Sequence, residues 1–198
     1  MNLQRLLTSS IDELEARERI LRSALVLFNR HGAHRVSPDR IIEDAKVARM
    51  TFFRHFKSKA ALVAECLHIR DEDFFERLQT ASIAKSGRPQ EAILGIFDAL
   101  KRWMDEPDYR GSVFIRGLND YPVEDDVDSG ASAIVRGHFE KLAALVEQRL
   151  KAFRPKDYKT LTPQVLSLIA GSVVVSQATK SSHIAVLCKA AANKLLDQ

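Results

Sequence analysis

Between Arg30 and Lys59 the chain sets eight basic side chains (Arg30, Arg35, Arg40, Lys46, Arg49, Arg54, Lys57, Lys59) against three acids (Asp39, Glu43, Asp44). Cationic groups at that density attract phosphate backbones and release their condensed counterions. No other spacing in the chain points to covalent chemistry. H-E-x-x-H, C-x-x-C, G-x-S-x-G, G-x-G-x-x-G and G-x-x-x-x-G-K are all absent, and His68, His138 and His183 stand without partners at fixed intervals. Asp125, Asp126 and Asp128 fail the calcium-loop pattern, because the fifth position from Asp126 is Gly130 and the twelfth is Gly137. A non-enzymatic, metal-free and cofactor-free protein that meets nucleic acid is expected.

The charge is unevenly divided. Residues 1–64 carry twelve basic and seven acidic side chains, net +5, so the whole-chain +4 leaves residues 65–198 at −1. That asymmetry predicts a DNA-binding part over 1–64 and a part over 65–198 that meets something else. With 45% hydrophobic and 28% charged residues, the composition is that of a globular chain rather than a disordered one. The longest mostly apolar run, Val165 to Val175, is interrupted by Ser and Gly and is too short to span a bilayer. No basic n-region precedes an apolar stretch at the N-terminus, and Cys66 and Cys188 sit in helical apolar patterns, so a cytoplasmic protein without a membrane partner is expected.

Hydrophobic periodicity predicts an all-α chain. Ser10 with Glu13 has capping-box spacing and opens a helix whose inner face is Leu14, Leu21, Leu25 and Phe28, stopped by His31-Gly32. Ser37-Pro38 opens the next, with Ile41 and Ala45 inward. After a turn at Lys46 to Ala48, Phe52 and Phe56 share a face at i, i+4. Ser58 caps a long helix reaching about Ala84, broken by Lys85-Ser86-Gly87-Arg88-Pro89. Further helices are predicted from Pro89 to about Glu106, Gly111 to Tyr121, Ser132 to Phe153, Thr162-Pro163 onward, and Ser182 to about Leu196, with a loop over Glu124 to Gly130.

The stretch from Arg19 to Leu62 resembles the DNA-binding domain of the tetracycline-repressor (TetR) family of bacterial regulators. The matching residues are Ile20-Leu21, Ala24, Leu27-Phe28, Gly32, Ser37, Ile41, Ala45, Val47, Thr51, His55-Phe56 and Ser58-Lys59-x-x-Leu62. The resemblance implies a helix-turn-helix domain followed by a larger helical ligand-binding and dimerisation domain. It implies a recognition helix from Arg49 to Phe56 in the major groove, with Arg49 and Thr51 reaching base edges. By the same resemblance Ser37, His55 and Lys59 touch phosphates, with Met50, Phe53 and Arg54 on the same DNA-facing surface. Five residues depart from the pattern: Phe53 replaces a Tyr, Met50 and Lys46 replace glycines, Ala48 replaces an N-capping Ser, and Ile42 replaces Ala. A lost N-cap costs about 1 kcal/mol, and a non-Gly residue in a left-handed turn about 1 to 2.

The implied function is that of a transcriptional regulator, a repressor that binds a palindromic double-stranded operator as a homodimer and is released by a small-molecule effector. The alternative is a protein of the same fold that pairs with another regulator instead of binding DNA. Phe97, Trp103, Phe114, Arg116, Asn119, Tyr121 and His138 offer apolar walls with a few polar groups, as an effector pocket needs. Gly171, Ser172, Val175, Ala185, Cys188 and Ala192 lie in the last two predicted helices, where small side chains allow the close helix approach of a dimer interface.

Overall fold

The computed structural model describes residues 3–83, 88–121 and 130–197. The predicted end of the long helix at Ala84, the break at Lys85-Ser86-Gly87, and the acidic run with Asp125, Asp126 and Asp128 lie outside them. Among the described residues the chain is all-α, with ten helices: α1 (Leu3–Thr8), α2 (Ala16–His31), α3 (Pro38–Asp44), α4 (Arg49–His55), α5 (Lys59–Ile83), α6 (Pro89–Met104), α7 (Val113–Asp120), α8 (Ala131–Phe153), α9 (Tyr158–Thr179) and α10 (His183–Leu196). Two compact units emerge, one of Met1–Asp73 with Val113–Arg136 and one of Phe74–Ser112 with Gly137–Gln198. α7 therefore belongs with the N-terminal helices, and the residues of α5 divide between the units.

In the first unit the core is built from Ile20, Leu21, Ala24 and Leu25 of α2, Ile41 of α3, Ala45, Phe52 of α4, Phe56, and Leu62 of α5, all buried. Local chemistry explains most of the boundaries. The Ser37 hydroxyl accepts from the Arg40 N–H at 3.2 Å, with Pro38 at the first helical position, and the Ser58 hydroxyl accepts from the Ala61 N–H at 3.1 Å. Gly32 ends α2 at φ +80°, a conformation that disfavours a side chain. The start of α2 corrects the expectation at Ser10. The Ser10 N–H does donate to Glu13 at 3.1 Å, but this closes only a single 3-10 turn, Ile11–Glu13. Leu14 is then extended, and a second box, the Glu15 N–H donating to Glu18 at 3.1 Å, opens α2.

α3 ends in a Schellman motif. The Val47 N–H donates to the Ile42 carbonyl at 3.2 Å and the Lys46 N–H to the Glu43 carbonyl at 3.1 Å, with Lys46 left-handed at φ +51°. This is the helix-turn-helix turn, and it carries a lysine where glycine fits without strain.

In the second unit α6 packs on α9 and α10, and α9 and α10 pack on each other. α9 begins at Tyr158, earlier than the Thr162-Pro163 signal. Pro163 lies one turn and a half inside, where its ring removes only the bond to the Lys159 carbonyl, while the Thr162 hydroxyl donates to the Tyr158 carbonyl at 2.7 Å. The 22 residues of α9 are by length and composition long and apolar enough to cross a bilayer, a test that the core helix of a soluble protein also passes. Leu161, Val165, Ile169, Ser172, Val173 and Ser176 of that helix are buried within the unit.

Relieving the left-handed lysine stabilises the fold: Lys46→Gly is expected to raise unfolding free energy by about 1 kcal/mol. Denaturant titration checks it, and an unchanged or lower value would show that the turn is not strained by its side chain.

Candidate nucleic-acid interface

α4 is seven residues long, too short to persist alone in water, so its orientation is set by what it buries. Phe52 is fully buried and Phe56, just past its end, is 4% exposed, their rings 6.3 Å apart. The opposite face is left open: Met50 is 84% exposed and Phe53 40%, with Arg49 and Arg54 also exposed. Phe53 therefore stays outside the core, its ring edge-on to Phe52 at 5.1 Å. Ala48, at the N-cap, makes no side-chain capping bond.

Two contacts hold the Arg49 guanidinium. Asp39 of α3 pairs with it, and it lies over the Phe53 ring at 5.4 Å. On the other side, Arg17 of α2 donates to Glu65 of α5 at 2.7 Å and lies over the Phe56 ring at 5.3 Å. One cation thus ties the end of the exposed helix to the helices on either side. Lys59, the first residue of α5, is half-buried, and that burial pushes its ammonium below the ordinary lysine range. A phosphate oxygen beside it would offset that penalty. Ser37, exposed, already uses its hydroxyl as the cap of α3, and a hydroxyl keeps a proton to donate while it accepts.

The expected DNA-facing residues therefore share one unit. Arg49, Met50, Phe53 and Arg54 are exposed on α4, Thr51 and His55 are half-buried there, and Ser37 and Lys59 open the flanking helices. Sequence reasoning missed Asp39, whose ion pair with Arg49 joins residues ten apart, and missed Arg17, which has no motif at all.

The expected effector residues divide between the units. Arg116 and Tyr121 line a cavity of about 30 Å3 in the first unit together with Leu25, Phe28, Val63 and Cys66, room for little more than one water. Arg116 also donates to the Phe28 carbonyl at 3.3 Å, fastening α7 to the C-terminal end of α2, and His34, in the 3-10 turn Ala33–Arg35 just after it, donates to the Asp120 carbonyl at 2.9 Å. Phe114 is buried, Asn119 is exposed, and burial pushes the Cys66 thiol up, away from a reactive thiolate. Phe97, Trp103 and His138 belong to the second unit. Phe97 is buried there, Trp103 meets Phe74 edge-on at 6.0 Å, His138 meets it at a tilt at 4.9 Å, and Trp103 meets Tyr109 edge-on at 4.9 Å. A separate polar cavity of about 140 Å3 lies between Tyr109, Arg110, Gln177, Lys180 and Ser182. Among the described residues no group of three or more His, Cys, Asp or Glu is placed to hold a metal ion.

The small residues of the last two helices serve two purposes. Ser172, Ala185 and Ala192 are fully buried inside the second unit, where they let α9 and α10 approach each other and α6. Gly171 and Cys188 are half-buried, and Val174, Val175, Val186 and Leu187 form the exposed apolar surface of the pair.

Residues 20–66 match the family model described as bacterial regulatory proteins, tetR family. The HTH-type transcriptional regulator TcmR of Streptomyces glaucescens is 32% identical over 84 residues, which are 42% of this chain and 36% of that protein, so the chain matches little more than a third of that relative's length. A TetR-family transcriptional regulator from Streptomyces coelicolor superposes with a TM-score of 0.84 at 21% identity, over 92% of this chain and 94% of that one. A TetR transcriptional regulator from Chloroflexus aurantiacus gives 0.76 at 18%, over 95% and 96%. These structures establish the fold, and the family model establishes the kind of DNA-binding unit. Residues 20–66 thus carry the DNA-binding part of the tetR-family model, and the fold of the whole chain is that of solved TetR-family regulators.

Removing the Asp39 charge frees Arg49 and lifts a repulsion toward phosphate. Asp39→Asn is expected to strengthen binding to random duplex by up to about fivefold, the worth of an exposed ion pair, and to narrow the preference for the best site. Fluorescence anisotropy on random and selected duplexes reads both effects, and no change in either would remove Asp39 from the interface.

Proposed function

We propose that this chain is a homodimeric, ligand-released repressor of a palindromic operator, with residues 1–64 binding DNA and residues 65–198 serving the effector and the second copy. The observation that carries the DNA part is the exposed face of α4: Arg49, Met50, Phe53 and Arg54 project away from a core that Phe52 and Phe56 fix. Exposed Arg beside a duplex finds guanine edges, and Lys59 and Ser37 at the starts of two neighbouring helices find phosphates. In this reading Ser37, His55 and Lys59 set register and Arg49 and Thr51 carry base choice. Phe53 gives apolar contact without the phenolic donor of a Tyr.

Dimerisation is supported by the exposed valines and leucine of α9 and α10, an apolar patch that a second copy would cover by two-fold symmetry. Two-fold binding to one duplex face then places the recognition helices about 34 to 36 Å apart, or further for wider half-sites. Leu187→Asp is expected to give monomers at micromolar concentration while leaving the helical content unchanged, because Leu187 is 53% exposed. Sedimentation velocity decides this; an intact dimer would place the interface elsewhere.

Release follows if an effector favours a state whose two recognition helices no longer match adjacent major grooves, by at least the free energy of the shift it causes. We place the coupling in α5, which starts at Lys59 and whose residues belong to both units. Within the first unit Phe114, Arg116, Asn119 and Tyr121, and within the second Phe97, Trp103 and His138, remain proposed effector contacts, each set taken by itself.

The division of labour on DNA has its own test. Lys59→Ala is expected to weaken all duplexes alike and to flatten the salt dependence by about 0.9 for each phosphate it ceases to neutralise. Arg49→Ala is expected to cost about 1 to 3 kcal/mol, and only on a duplex selected for tight binding. Equal losses on selected and random duplexes for Arg49→Ala would contradict its base-reading role.

A further inference from the structure

Resting on the DNA-binding reading above, the geometry points to Met50 as a reader of the thymine methyl group. Met50 is the second residue of α4, at the end of a recognition helix that meets base edges, and at 84% it is the most exposed of the large hydrophobic side chains described. The other members of that exposed set lie on α7, or on the proposed dimer surface of α9 and α10, apart from Phe53, three residues along on the same face of α4. Arg49, its side chain 66% exposed, is already engaged by Asp39 and by the Phe53 ring, and Thr51 is half-buried, so Met50 is the most exposed of these three first-turn side chains.

The surroundings select the occupant. Arg49 and Arg54 share α4 with Met50, and Lys46 and Lys57 lie just before and after that helix in the chain, so basic groups predominate around it over Asp39, which pairs with Arg49; that balance suits a polyanion and repels a basic partner surface. In the major groove of B-DNA the one apolar group on a base edge is the thymine C5 methyl. A thioether is polarisable and unbranched, and so adapts to a methyl whose place differs slightly between half-sites. Specificity would then come from Arg49 hydrogen-bonding one base while Met50 covers a neighbouring methyl, so that the operator carries a fixed thymine in each half.

Deoxyuridine isolates that methyl, because it keeps every hydrogen-bonding group of thymidine. The full-length protein is used to enrich duplexes from a randomised library, and the best duplex is resynthesised with single deoxyuridines at each thymine in turn. The expected result is one thymine per half-site whose replacement weakens binding by about fourfold, the worth of one buried methyl. Met50→Ala should bind the thymidine and deoxyuridine forms of that duplex equally, and circular dichroism should show an unchanged fold. The inference is overturned if no deoxyuridine matters to the wild type, or if Met50→Ala keeps the full sensitivity. Failure to enrich any duplex over the random pool would instead bring down the DNA-binding reading beneath it, and this inference with it.

Discussion

Burial of Phe52 and Phe56 on one side of a seven-residue helix is the constraint on which the rest of the interface depends. Burying an aromatic side chain contributes about 1.5 to 3 kcal/mol, and two of them outweigh the poor intrinsic stability of so short a helix. Because residues two apart lie on nearly opposite sides of a helix, fixing Phe52 inward turns Met50 and Arg54 outward, and Phe53 between them stays 40% exposed. Arg17 adds a polar tie at the same place, reaching from α2 to Glu65 and across the Phe56 ring. The core of the first unit and its presented surface are thus two sides of one packing arrangement.

The turn before that helix works against this order at a small cost. Lys46 holds the left-handed position of a Schellman motif, and Ala48 leaves α4 without a side-chain cap. Both hydrogen bonds of the motif form nonetheless, so the geometry of the turn is kept by the backbone and by the packing of the helices it joins. A basic residue at the turn adds to the field toward phosphate while weakening the local fold, a trade between stability and binding that the charge pattern around it favours.

Where the chemistry is local, the sequence was legible. Ser37-Pro38 and Ser58 open helices where their capping chemistry predicts, Gly32 stops one, and the i, i+4 pair Phe52 and Phe56 is buried. Competing local signals were harder to rank. Two capping boxes stand five residues apart, and the one at Glu15 rather than Ser10 opens α2, while Pro163 is absorbed inside α9 because it removes a single backbone bond near the start. Long-range pairs left no trace in the sequence. Asp39 against Arg49, Arg116 against the Phe28 carbonyl, and the packing of α7 with the N-terminal helices all join residues that no periodicity connects. The small residues of α9 and α10 were recognisable as close-approach positions, but composition alone does not tell an approach within the chain from one between two chains.

The most direct test of the central claim is the dependence of duplex affinity on salt. A log–log plot of the association constant against salt concentration, measured on a random duplex so that no operator need be known, is expected to fall steeply, by about 0.9 for every phosphate neutralised. Lys59→Ala should make it shallower. A flat line for the unmodified protein would contradict the account, because a face built from Arg49, Arg54, Lys57 and Lys59 cannot contact DNA without displacing counterions.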